Sequence, residues 1–375
     1  MKSYVASHLK DMNRMTVYNL IASSDEISKA DISRVTGISS PTVIKIVNFL
    51  LEKELVIEAG EGIAAIGRKP QMLRLNSNNM FAIGVIFEGD YIRAGIVNLS
   101  GKIIKSTITK VNPEFEEIVT GVLPQIIDKL IEETRIDGAN IIGIGIGVPG
   151  LYDPEKRIIS LAPLVNINEP LDIQWLVEGL AQRYGVPVIV GNDVNMDVMG
   201  EYRSLKLDNS DFIYISLGTG LGAGIILNGK LRVGCTYQCG EIGYMAFLDD
   251  YMGGRTNPGW LESRVNLRAL SQRFDFDPYD TSKSDIDAII NYVSIPVSLC
   301  INNIVTFLDC DRITLGGVIT ESLGDRFINA VSAKVSKLSI SDVKLQRQVS
   351  KDSGVVGASF EIIDSVISGI LTEQT

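Results

Sequence analysis

A chain of 375 residues, 45% apolar and 7% aromatic, has material for two or three packed cores and is not a disordered polymer. The net charge of -10 opposes a surface coated in nucleic acid, yet residues 1–80 carry ten Lys/Arg against eight Asp/Glu, leaving a net of -12 to the remainder. No apolar run approaches the roughly 18–20 residues that span a bilayer. MKSYVASHLKDMNRM lacks an apolar signal core, and four cysteines make no disulfide framework. A cytoplasmic protein without membrane contact is therefore expected.

In chain order, Met12–Ser23 has a near-helical apolar period at Met12, Met15, Val17, Tyr18, Leu20 and Ile21. A second helix starts at Ser28 or Lys29, with Ile27, Ile32 and Val35 apolar, and Gly37 ends it in the left-handed conformation that glycine favours. Ser39 and Ser40 are N-cap candidates for a third helix, with Pro41 in its first turn. That helix runs to about Glu54 and buries Val43, Ile46, Val47, Leu50 and Leu51. Helix, glycine turn, helix is the geometry that places a helix in a major groove, with Ser40, Thr42, Lys45 and Asn48 on the exposed side. LVIEAG and MLRLN then read as wing strands, and Arg68 and Lys69 make a cationic tip between them, suited to a minor groove or a phosphate. A dimerisation module is the alternative for this unit. LNSNN (75–79) reads as the hinge, dividing a winged helix-turn-helix domain (1–78) from the body (79–375).

Beyond Phe81 the period changes. FAIGVIF, YIRAGIVNL and KIIKSTITK read as antiparallel strands, followed by a helix over about 114–134 that Pro124 kinks or breaks. IIGIGIGV (141–148) and PVIVGND (187–193) are further strands. DFIYISLG, GAGIILNG and KLRVG repeat the hairpin set, and RITLGG (312–317) closes the series. Two β-rich halves, each followed by helices, predict a bilobal α/β body with a ligand cleft between the lobes.

The run from Asn192 to Asn195, LGTGLGAG (217–224), GEIG (240–243) and LGG (315–317) together resemble the ROK family of repressors, open reading frames and kinases, in family order and spacing. The winged N-terminus followed by GRKP resembles the repressor branch responsive to xylose, glucose and N-acetylglucosamine. The resemblance covers almost the whole chain and implies an actin-like (ribonuclease H-like) sugar-kinase-type body.

It also implies site residues. Asp193 matches the base that deprotonates a sugar hydroxyl in family kinases, here vestigial. Asn192 would bond a neighbouring hydroxyl; a helix N-cap is the alternative for this pair. Glu241 and Glu262 match sugar-binding glutamates. Tyr244 stands where the family has a histidine, and Gly253, Arg255 and Trp260 stand at its cysteine positions, so no zinc or other metal is expected. Trp260 could fill the vacated space. Cys235 and Cys239 have no partner set. Where family kinases carry D-x-G-G-T, this chain has Ile86-Phe87-Glu88-Gly89-Asp90, and its two added carboxylates would repel a polyphosphate. The glycines at 217–224 and 315–317 also serve tight turns, so they do not by themselves imply nucleotide.

The expectation is a sugar-responsive repressor without catalytic activity or cofactor. It would bind double-stranded operator DNA as a homodimer or tetramer through Ser39, Ser40, Thr42, Lys45, Asn48, Arg68 and Lys69. A small sugar would sit on Asn192, Asp193, Glu241, Tyr244 and Glu262. An ATP-dependent sugar kinase with an accessory DNA-binding head is the alternative.

Overall fold

The computed structural model describes residues 2–61, 69–112, 114–162, 165–254, 256 and 258–372. The head consists of α1 (Lys2–Ala22), β1 (Ile27–Ser28), α2 (Lys29–Thr36), α3 (Ser40–Glu52), β2 (Val56–Glu61) and β3 (Gln71–Leu75). Ser28 caps α2, accepting from the Asp31 amide at 3.1 Å and donating to its carboxylate at 2.6 Å. Gly37 closes that helix at φ 70°, and Pro41 occupies the first turn of α3. β2 and β3 pair antiparallel as the arms of a wing.

Three details differ from expectation. α1 begins ten residues before Met12, and both Leu9 and Met12 are exposed, so they carry no buried apolar period. Val35 is also exposed. In α3 the side chain that seals the core is Phe49 rather than Leu51, since the Arg14 guanidinium covers its ring at 3.8 Å.

The first lobe opens with β4 (Phe81–Glu88), β5 (Tyr91–Asn98) and β6 (Ile103–Lys110), an antiparallel meander. α4 (Phe115–Glu117) runs through a π-helical stretch, Ile118–Val122, into α5 (Leu123–Thr134), with Pro124 in the first turn of α5. Pro124, which has no amide hydrogen to donate along a helix, sits where the wider π turn passes into α5. β7 (Ile141–Val148) follows, then the small sheet of β8 (Leu151–Asp153), β9 (Ile158–Ser160) and β10 (Leu171–Asp172), then α6 (Gln174–Tyr184) and β11 (Val188–Asn192). The five-stranded order is β11-β7-β4-β5-β6, with β11, β7 and β4 parallel.

After α7 (Asp193–Ser204) the second lobe repeats the scheme. β12 (Phe212–Leu217), β13 (Leu221–Leu227) and β14 (Lys230–Leu231) form the meander, and KLRVG contributes only its first two residues to it. α8 (Glu262–Val265), α9 (Leu267–Phe274) and α10 (Ile286–Leu308) lead to β15 (Arg312–Gly316), α11 (Gly317–Leu338) and β16 (Lys344–Arg347), giving the order β14-β13-β12-β15-β16. α12 (Ser353–Thr372) returns to the first lobe, packing on β4 and β7. The duplicated sheet order is the actin-like plan, and α7 touches both sheets. Contrary to the reading of apolar runs, α10 and α12 are each long and apolar enough to cross a membrane, but more than half of each apolar window is buried inside the fold.

Candidate functional site

β11 ends beside β7, with Asn192 paired to Val148, and hands the chain directly to α7 at Asp193. Asn192 is the N-cap: its Oδ1 accepts from the Asn195 amide at 2.9 Å, and its Nδ2 donates to the Gly150 carbonyl at 2.9 Å and to Asp193 Oδ1 at 3.1 Å. The cap is thus Asn192 alone. Both hydrogens of its side-chain amide are engaged, and one of these bonds orients Asp193. The Val194 amide also donates to Asp193 Oδ1, at 2.8 Å. Burial pushes the Asp193 carboxyl up to about 7, and the charges of Glu241 and Glu88 add to it.

Glu241 faces this group from the second lobe. Gly240, at φ 97°, brings its loop against β13, where a Cβ would lie 1.8 Å from the Ala223 carbonyl oxygen. Burial, then the charge of Glu262, raises Glu241 to about 7. Glu262 accepts from the Leu221 amide at 3.3 Å and abuts Gly243, tying LGTGLGAG to GEIG. Tyr244 ends the short 3-10 turn Ile242–Tyr244 and is half-buried. Asp193 and Glu241 therefore lie within each other's field, as do Glu241 and Glu262, and the first two carboxyls are both raised to about 7.

Sequence reading missed the continuation of this acidic line. Asp197 and Glu201 follow Asp193 at four-residue spacing, which puts all three on one face of α7. Burial raises both, Asp197 well above the usual range with help from Glu88 and Asp193. Glu201 is fully buried and accepts from the Val349 amide at 2.7 Å and the Ser353 hydroxyl at 2.8 Å, clamping the crossover from β16 to α12.

The first phosphate loop is closed by contacts more than by repulsion. Glu88 is paired with Arg93 at 2.7 and 3.2 Å, and Arg93 also reaches Asp352 at 3.3 Å. Burial works against the Arg93 charge, but Glu88 and Asp352 outweigh it and raise its pKa. Of the two added carboxylates, the exposed Asp90 has no such ion pair among the described residues. A Cβ at Gly89 would lie 2.6 Å from Thr219 Cγ2, so the two phosphate loops touch each other. At the third glycine segment Gln348 Oε1 accepts from the Gly317 amide at 3.1 Å and from the Tyr214 hydroxyl at 2.7 Å. The amide that would face a phosphate already has a partner.

Among the described residues no group of three or more His, Cys, Asp or Glu could hold a metal ion. Arg255 lies outside the described residues. Cys235 is exposed and Cys239 half-buried, both free. Phe247 and Arg264 are tied together by Asp250, which is 7% exposed and takes a bidentate bond from Arg264 and a 2.7 Å bond from the Phe247 amide. Trp260 is half-buried, its indole nitrogen enclosed without a hydrogen-bond partner.

On the head, Ser39, Ser40, Lys45 and Asn48 are exposed along α3, and Thr42 is half-buried with its hydroxyl 2.8 Å from Ser39 Oγ. Lys69 is exposed just before β3; Arg68 lies outside the described residues.

The model of the family described as "ROK family" matches residues 82–364. The chain belongs to the ROK family. It is 30% identical over 282 residues to a xylose repressor of Bacillus subtilis, covering 74% of this chain and 72% of that protein. It is 28% identical over 270 residues to the DNA-binding transcriptional dual regulator NagC of Escherichia coli, covering 71% and 65%. In fold it is similar to a ROK family transcriptional regulator described as a homologue of the E. coli MLC protein, at TM-score 0.77 and 22% identity over 97% of this chain and 98% of that one. A ROK glucokinase from Streptomyces griseus, solved with glucose and AMPPNP, gives TM-score 0.62 at 24% identity over 75% and 98%.

Proposed function

We propose that this ROK protein is a transcriptional repressor that binds operator DNA through the head (1–78) and a small sugar in the interlobe cleft of the body (79–375). The observation that carries this reading is the joining of a winged head to a ROK body whose phosphate loops are filled by its own side chains. The repressor relatives, matched over about 70% of the chain, support it. Asp193, Glu241 and Glu262 accept bonds from sugar hydroxyls, Asn192 orients Asp193, and Tyr244 borders the site. Ser39, Ser40, Thr42, Lys45 and Asn48 lie along the groove-reading helix, with Lys69 and Arg68 at the wing. Two heads of a dimer read half-sites about one helical turn apart, and sugar-driven lobe closure changes their spacing. Kinase activity is absent.

Fluorescence anisotropy of a duplex from upstream of its own gene, with and without D-xylose, D-glucose and N-acetylglucosamine, tests the reading. Operator binding that one sugar changes at least tenfold supports it; binding indifferent to all sugars of a wider panel refutes the sensor. Asp193, poised near neutrality, favours a sugar kinase as second reading. Sugar-dependent ATP turnover abolished by Asp193→Asn would establish that reading instead.

A further inference from the structure

The core of the head continues without interruption into the body. Val17 and Ile21 of α1, Leu50 of α3, and Ile367 and Leu371 of α12 belong to one buried apolar cluster. Two polar joints border it. Arg14, only 4% exposed, donates to the Leu371 carbonyl at 2.9 Å while stacking on Phe49. Arg203, in the last turn of α7, pairs with Asp364 of α12 and lies 4.0 Å over the Phe360 ring. The Tyr18 hydroxyl of α1 is pushed up to about 12, first by burial and then by the Asp364 charge, which places the head's first helix within the field of that pair.

α7 and α12 meet backbone to backbone. A Cβ on Gly200 would stand 1.7 Å from the Ser353 carbonyl oxygen, and one on Gly357 1.8 Å from the Met196 carbonyl oxygen. No layer of side chains separates the helices there, so nothing deformable absorbs a displacement. The clamp from Glu201 to Val349 and Ser353 fixes the start of α12 to the same pair. At its other end α7 begins at the cap beside Asp193.

We propose that α7 and α12 form one rigid strut that carries lobe closure at the cleft to the DNA head, with Arg14 and the Arg203–Asp364 pair as its head-end joints. This rests on the sensor reading above. α12 spans 20 residues, or roughly 30 Å. A rotation of about 5° at one end of such a strut displaces the other by about 2.6 Å, enough to misplace a helix in a groove.

The test compares wild type with Arg14→Met, Asp364→Asn and the double variant. Arg14→Met keeps an aliphatic cover on Phe49 and removes the bond to the Leu371 carbonyl. Each is titrated against the upstream duplex with and without the one of D-xylose, D-glucose and N-acetylglucosamine that moves the wild type, and against that sugar alone by calorimetry. Sugar affinity should stay within about threefold of wild type, while the sugar-induced change in operator affinity falls at least about threefold in the single variants and further in the double. Full coupling in the double variant overturns the strut and leaves the sensor standing. Wild-type operator binding unmoved by every sugar overturns the sensor, and the strut with it. Should Arg14→Met unfold the head, seen as lost DNA binding with intact sugar binding, Asp364→Asn alone decides by the same criterion.

Discussion

Asp193→Asn isolates what the central carboxyl of the cleft costs the fold. The amide keeps the shape and the Oδ1 acceptor used by Val194 and Asn192, and removes a carboxyl that burial raises from 3.8 to about 7. A carboxyl whose folded pKa exceeds its unfolded value takes up a proton on folding. Its penalty is absent below the unfolded pKa near 3.8, grows as the pH rises to about 7, and is constant above. At ~1.4 kcal/mol per unit the full shift is worth about 4 kcal/mol at pH 8, of which about 1.6 is already present at pH 5. Solvent reaching the open cleft screens both figures, leaving a difference of about 1–2 kcal/mol between the two pH values. Asp193 titrates together with Glu241, and removing one charge eases ionisation of the other, an effect of the same sign. Urea unfolding followed by Trp175 and Trp260, both in the body, measures it. Asp193→Asn should be more stable than wild type by about 1–2 kcal/mol more at pH 8 than at pH 5, and should bind the effector at least tenfold more weakly. Equal stabilisation at both pH values, or a loss at pH 8, would refute an ionisation opposed by burial.

Gly357→Ala drives a methyl into the Met196 carbonyl and should destabilise by about 3 kcal/mol, read from thermal melting. Arg264→Met strands the Asp250 carboxylate and should loosen residues 247–264, which limited proteolysis would detect as new early cleavage there. Lys45→Ala should weaken operator binding for all sequences alike and lower the slope of log affinity against log salt by about 1. Arg93→Ala deprives Glu88 and Asp352 of their shared guanidinium and should lower stability, read as a reduced melting temperature. Calorimetry on that variant should still show no ATP binding, since Gln348 and Thr219 remain in place.

The parts of this molecule legible in the sequence are those written in local pattern. Gly37, Pro41 and the apolar period of α3 mark the reading unit, and the alternating and continuous apolar runs of 81–110 and 141–148 mark the first sheet. The start of α1 was illegible because periodicity reports a buried face, and Leu9 and Met12 are exposed. Pairings between distant residues left no local trace. Arg14 meets Leu371 across 357 positions, and Asp352 meets Arg93 across 259. The Glu88–Arg93 pair was also missed, although the two are only five residues apart: the β4–β5 hairpin that folds them together is visible, but the ion pair is a matter of rotamers. The acidic line Asp193, Asp197, Glu201 could have been found from its spacing of four once α7 was placed.

A ligand shifts a conformational equilibrium only by its difference in affinity between the two states. In a kinase that difference is shared between sugar and nucleotide, each holding one side of the cleft. Here the nucleotide side is held by the protein: Gln348 on the Gly317 amide, Arg93 between Glu88 and Asp352, and the crossover clamped by Glu201. On the proposed function these bonds leave the remaining freedom of the lobes to the sugar side. Burial raises the carboxyls there, Asp193 and Glu241, to about 7, so their ionised forms carry an electrostatic penalty that hydroxyl donors would relieve. On the proposed function, a site built this way would turn binding energy into motion instead of chemistry, and the filled phosphate loops and the retained sugar carboxylates would be two aspects of one sensor.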